Sequence, residues 1–148
     1  MQKACIYIII LYHVLRFYFL KSSRRLTMNK TQKNLTVLVK KIAKKFDVNP
    51  LIAIYTKKQF HVNAGSYNLK NNYLILYTKN IALRSKIGFD NLYYYGRDKI
   101  VNPYILNSYK KTLIFVILHE IGHVIYGTSE FLADFFALKY LKNVILSV

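Results

Sequence analysis

Acidic residues are scarce in this sequence. Only six Asp and Glu stand against 23 Lys and Arg, so the formal net charge is +17. Such an excess of positive charge favours an anionic partner, either nucleic acid or a membrane surface. An AT-rich genome would produce the same bias toward Lys, Asn, Ile and Tyr without any such partner. Composition alone leaves both explanations open.

Cysteine is almost absent. The single residue, Cys5, excludes an internal disulfide framework. The chain of 148 residues, 53% of them apolar, is long enough for one domain with a modest core. We predict that this domain covers residues 29–148 and follows an apolar and basic segment at residues 1–28.

The chain also lacks an uninterrupted apolar run of the length that spans a bilayer. Residues 4–20 are apolar but contain Arg16, and a spanning helix needs about 20 apolar residues. Basic residues follow this run, and no A-x-A cleavage site ends it. We expect a cytoplasmic protein in which the residues before Met28 are a start-site extension; a membrane anchor through residues 4–20 is the alternative.

The few acids are concentrated at one motif, HEIGH at residues 119–123, in which His119 and His123 flank Glu120. On a helix, positions i and i+4 lie on the same face, so both imidazoles can bind one metal ion. Glu120 is then placed to hold and deprotonate a water. A chance motif in a salt-bridged helix pair is the alternative, although a buried His-Glu-His set is costly unless it is paired or metal-bound.

A third ligand is needed, because catalytic zinc usually has three protein ligands and one open position. Glu130 is the best candidate: Gly127 should end the first helix, and Thr128 or Ser129 should cap a second one that brings Glu130 back. Asp134, one turn further, would accept a hydrogen bond from a ligating histidine. Asp134 as the ligand itself is the rival assignment.

These residues resemble a known family. HEIGH followed by Glu130 and Asp134 in an E-x-x-x-D pattern looks like the gluzincin branch of the zincin metallopeptidases, and especially like the small IrrE/ImmA-type peptidases and minigluzincins. The resemblance covers about residues 107–141. It implies a zincin-like fold, a zinc ion on His119, His123 and Glu130, Glu120 as general base, and a protein or peptide substrate paired along a strand beside the cleft.

The remaining pattern predicts an α+β fold with three or four strands. The first expected helix runs from Thr31 to Phe46 and is capped by Thr31 or Asn34. A strand over Leu51–Tyr55, a hairpin of Phe60–Tyr67 and Tyr73–Thr78, and a loop over residues 81–102 should follow. The active-site helix should run from Asn107 or Ser108 to Tyr126, and a last helix from Ser129 to Asn143.

The predicted function is that of a zinc-dependent metallopeptidase. The donor that would stabilise the oxyanion is unassigned among Tyr126, Tyr109, Tyr104 and His61. The alternative function is a basic protein that binds nucleic acid or a membrane and carries a structural or vestigial metal site. Closed structural zinc would need a fourth protein ligand, for which Asp134 is the nearby acid.

Overall fold

A computed structural model describes residues 29–56, 63–87, 101 and 106–148. Within these ranges the protein is α+β, with four helices and one three-stranded sheet. In chain order the elements are α1 (Lys30–Lys44), β1 (Leu51–Tyr55), β2 (Gly65–Asn68), a 3₁₀ turn (Leu69–Asn71), β3 (Tyr73–Tyr77), α2 (Thr78–Ile87), α3 (Tyr109–Tyr126) and α4 (Glu130–Ser147).

Helix α1 lies close to its predicted bounds but has a different cap. Asn29, rather than Thr31 or Asn34, accepts a hydrogen bond from the backbone N–H of Gln32, and the Gln32 side chain in turn accepts one from the backbone N–H of Asn29. This reciprocal capping box satisfies two backbone donors that the helix leaves unpaired. Val39 and Ile42 are buried on the inner face, and the lysines point outward.

The sheet has the order β1-β3-β2. Strand β1 pairs with β3 in parallel, and β2 pairs with β3 antiparallel, with Ser66 opposite Ile75. The predicted strand Leu51–Tyr55 is confirmed, and so is the pairing of the predicted hairpin. Its bounds differ, because Asn63 and Ala64 lie outside β2 and Thr78 begins α2. Leu74 and Leu76 of β3 are fully buried, as expected for the central strand.

The prediction of a loop from residue 81 is wrong for residues 81–87, which belong to α2. The buried face of this helix contains Asn80 and Arg84 beside Ile81, so it lacks the apolar periodicity by which a helix is recognised. Asn80 donates a hydrogen bond to the backbone carbonyl of Asn63 at 2.8 Å. That bond connects α2 to the segment that leads into β2.

Helices α3 and α4 form an antiparallel hairpin through the core. Ser108 caps α3 and Ser129 caps α4, as predicted, while α4 continues to Ser147 instead of ending near Asn143. The two helices approach closely at Gly122, where an added Cβ would lie 2.8 Å from the Cα of Ala133. Only glycine fits at that crossing, which sets the spacing between the HEIGH motif and α4.

Helix α3 is the centre of the core. All its residues from Thr112 to Gly122 are buried, and it contacts α1, α2, α4 and β2. Among the described residues no helix is both long and apolar enough to cross a bilayer. The proposed anchor or extension at residues 1–28, residues 88–100 and 102 of the predicted loop, and the oxyanion candidates Tyr104 and His61 lie outside the described residues.

Candidate metal centre

Three side-chain donors converge at one end of the α3–α4 hairpin. The Nε2 atoms of His119 and His123 lie 3.0 Å apart. The Glu130 carboxylate approaches both, with Oε2 3.3 Å from His119 Nε2 and Oε1 3.4 Å from His123 Nε2. These three residues form a group whose ligand atoms all lie within 4.8 Å of one another. The turn at Gly127 is what folds α4 back and places Glu130 there.

The other ring nitrogen of each histidine already has an acceptor. His119 Nδ1 lies 2.8 Å from Asp134 Oδ1, and His123 Nδ1 lies 2.8 Å from the carbonyl oxygen of Gly127. A carbonyl can only accept, so the His123 proton is on Nδ1, and the Asp134 carboxylate favours the same tautomer for His119. Both Nε2 lone pairs then face one another and a carboxylate, an arrangement that favours a shared cation.

Asp134 lies on the far side of the His119 ring from Glu130. It is fully buried, and its carboxylate faces Nδ1 rather than the Nε2 side where the other donors meet. A carboxylate in this position fixes the orientation and the basicity of a ligating imidazole. The geometry therefore favours Glu130 over Asp134 as the third ligand.

The titration of the two histidines follows from this packing. Burial by itself lowers the pKa of His119, but hydrogen bonds to Asp134 and Glu130 outweigh burial and raise that pKa to about 9. The pKa of His123 is also raised, chiefly by its hydrogen bond to Glu130 and against the opposing effect of burial. A proton therefore competes with a metal ion for the Nε2 side of the site.

Glu120 lies beside the three donors and is held against strand β2. It is buried, and it lines the same cleft as His119, His123 and Glu130. An added Cβ at Gly65 would lie 2.6 Å from Glu120 Oε1 and 2.8 Å from Val116 Cγ1. Glycine at position 65 is thus what lets the Glu120 carboxylate lie against the strand.

A Gly65→Ala variant would test the zinc-peptidase expected from the sequence: it should hydrolyse peptides more slowly than the wild type while it keeps its metal. The new methyl group would overlap Glu120, whereas none of the three metal donors is among the atoms nearest to it. A displacement of about 1 Å in a reacting group can cost up to about 10²-fold in rate. Zinc content and turnover measured on the same preparation would check this; loss of zinc, or full turnover, would contradict it.

The cleft wall contains polar groups that the sequence patterns did not mark as residues of the site. Asn63, Ser66, Tyr67 and Thr128 line the cleft, whereas Tyr109 and Tyr126 do not. Tyr109 opens α3, more than two turns from the HEIGH motif, so it is too far away to stabilise an oxyanion. The hydroxyl of Tyr67 donates to Asn72 Oδ1 at 2.6 Å. A loop and an edge strand contribute these groups, and neither has a local pattern that marks it as part of a site.

Comparison with known proteins gives no match: no family model fits the chain, and no curated protein or solved structure is significantly similar to it.

Proposed function

We propose that this protein is a zinc-dependent metallopeptidase of the gluzincin type. The observation that carries the proposal is the convergence of His119 Nε2, His123 Nε2 and the Glu130 carboxylate beside the buried Glu120. Two imidazoles and one carboxylate are a donor set that catalytic zinc sites use, and such sites keep a further position open. Zinc, when bound, would act as a Lewis acid that lowers the pKa of a water and polarises a carbonyl group.

Glu120 is the residue proposed to move protons. It would take a proton from the attacking water and later deliver it to the leaving amine. Its position one residue after His119 on α3 places it on the cleft side, and contact with Gly65 limits where its carboxylate can go. Asp134 and the Gly127 carbonyl act indirectly, since each holds a histidine in the tautomer that leaves Nε2 free to bind metal.

The sheet supports a peptide as the substrate. Strand β2 is at the edge of the described three-stranded sheet, and its residues Gly65, Ser66 and Tyr67 line the cleft that contains Glu120. An edge strand presents backbone N–H and C=O groups that can pair with an extended chain. A peptide paired with β2 would pass beside the metal donors.

The second candidate function is a basic binding protein with a structural zinc site, which the net charge of +17 favours. A closed structural site needs four protein ligands. In the described part of the chain the cluster has three ligands, and Asp134 is already at the other nitrogen of His119. This geometry supports the peptidase over the structural site.

Removal and replacement of the metal test the proposal. We expect the purified full chain to hydrolyse a mixture of unstructured peptides, to lose this activity on treatment with a chelator, and to regain it when about one equivalent of zinc is added. Because hydrolysis by zinc in solution would not depend on the protein, the buffer with zinc alone is the control. A fully zinc-loaded chain that hydrolyses none of the peptides would favour the structural site.

A further inference from the structure

Helix α4 has an outward face that is unusually apolar. Its large exposed residues and its lysines lie within an arc of about 100° on a helical wheel. That face, hereafter the outer face of α4, comprises Phe131, Leu132, Phe135, Lys139, Lys142 and Leu146. Phe135 is 62% exposed and Leu146 is 78% exposed, so these side chains are not buried in the core.

The inner face of α4 packs into the core. Ala133, Phe136, Ala137 and Leu141 are buried against the rest of the protein. A helix that is apolar on all sides normally has its second face covered as well. The outer face therefore needs an explanation beyond folding, because large exposed apolar patches mark interaction sites.

The charge around this face restricts what can cover it. Lys139 and Lys142 lie within it. Lys41 and Lys45 of α1 hydrogen-bond to Ser147 at the C-terminal end of α4, beside this face. The acids of α4 are Glu130 and Asp134, which belong to the metal centre on the other side of the helix. A partner surface that is anionic and that also accepts Phe and Leu side chains fits this face best.

We propose that the outer face of α4 docks on the surface of an anionic lipid bilayer. Phe131 and Leu146 are 15 residues apart, so the face extends for about 22 Å and can lie flat in the interface. Its Phe and Leu side chains would enter the boundary between headgroups and acyl chains, while the lysines would pair with anionic headgroups.

Other occupants fit the charges less well. A second copy of the chain would bring two further lysines, its own Lys139 and Lys142, into the same interface. Residues 1–28 carry five basic residues and no acid, so they are also of like charge. Nucleic acid would match the lysines but would leave leucine side chains against phosphate. This inference goes beyond the proposed peptidase activity and does not depend on it.

Vesicle binding by the full chain tests the proposal. We expect much more of the full chain to co-sediment with vesicles made of equal parts phosphatidylcholine and phosphatidylserine than with vesicles of phosphatidylcholine alone. The double variant Phe135→Gln/Leu146→Gln should weaken this binding about tenfold or more, because it removes apolar contact without changing charge. Lys139→Gln/Lys142→Gln should also weaken it about tenfold, and added salt should reduce binding of the wild type.

The matched control is Val37→Gln/Leu83→Gln, which replaces two exposed apolar residues on α1 and α2. It should bind vesicles as the wild type does, and all variants should keep their circular dichroism and zinc content. Failure of the full chain to bind anionic vesicles, or equal binding by Phe135→Gln/Leu146→Gln, would overturn the proposal. The proposal would also be overturned if, without lipid, the wild type sedimented as a dimer and Phe135→Gln/Leu146→Gln as a monomer. That result would assign the face to a second copy of the chain.

Discussion

Replacing Glu120 with glutamine should leave zinc bound and reduce peptide hydrolysis by about 10²-fold or more. Glutamine keeps the shape of the side chain and its position beside Gly65 but cannot take a proton from water. The three metal donors are other residues, so their affinity for zinc should change little. Steady-state hydrolysis and zinc content measured on one preparation give both quantities.

The control for Glu120→Gln is Asp47→Asn, the same acid-to-amide change at an exposed position that does not line the cleft. Asp47 lies in the left-handed region with a φ of 60°, which asparagine also tolerates. This variant should hydrolyse peptides at the wild-type rate. Full activity in Glu120→Gln would show either that Glu120 is not the base or that a contaminating peptidase is being measured.

The two acids of α4 should respond very differently to replacement. Glu130→Ala removes a metal ligand, so zinc affinity should collapse to the level of His119→Ala or His123→Ala. Asp134→Ala removes only the hydrogen bond to His119 Nδ1, at an expected cost of about 10–100-fold in affinity or activity. Competition with a chromophoric chelator measures zinc affinity for all four variants.

Because Asp134 is fully buried, Asp134→Asn is the matched variant that keeps the packing. It should retain zinc better than Glu130→Ala does. If Asp134→Asn bound no zinc and Glu130→Ala bound zinc with only reduced affinity, Asp134 would be the third ligand. In a zinc-bound crystal structure the ligating carboxylate oxygen should lie about 2.0–2.2 Å from the metal.

Local chemistry was sufficient to predict the helical hairpin of the site. A cap interacts only with residues a few positions away, so the sequence is enough to predict it. In the structure, as in the sequence, a helix end lies at Ser108, Gly127 and Ser129. Spacing by one turn also put both histidines on one face of α3. The same reasoning failed for α2, because its buried face contains the polar residues Asn80 and Arg84, and Asn80 bonds to Asn63, 17 positions away in the sequence.

The sequence by itself determined which residues are able to bind metal. The chain has few acids, and several of them stand at helical spacing from one another or close to the two histidines. Only the tertiary structure decided how these side chains are arranged relative to one another. Whether Glu130 or Asp134 faces the Nε2 atoms depends on how α4 packs against α3. The contact between Gly122 and Ala133 sets the distance between the two helices. Similarly, Gly65 and Glu120 are 55 positions apart in the sequence. Nothing local to either residue shows that the strand must lack a side chain there, because the requirement arises only when β2 packs on α3.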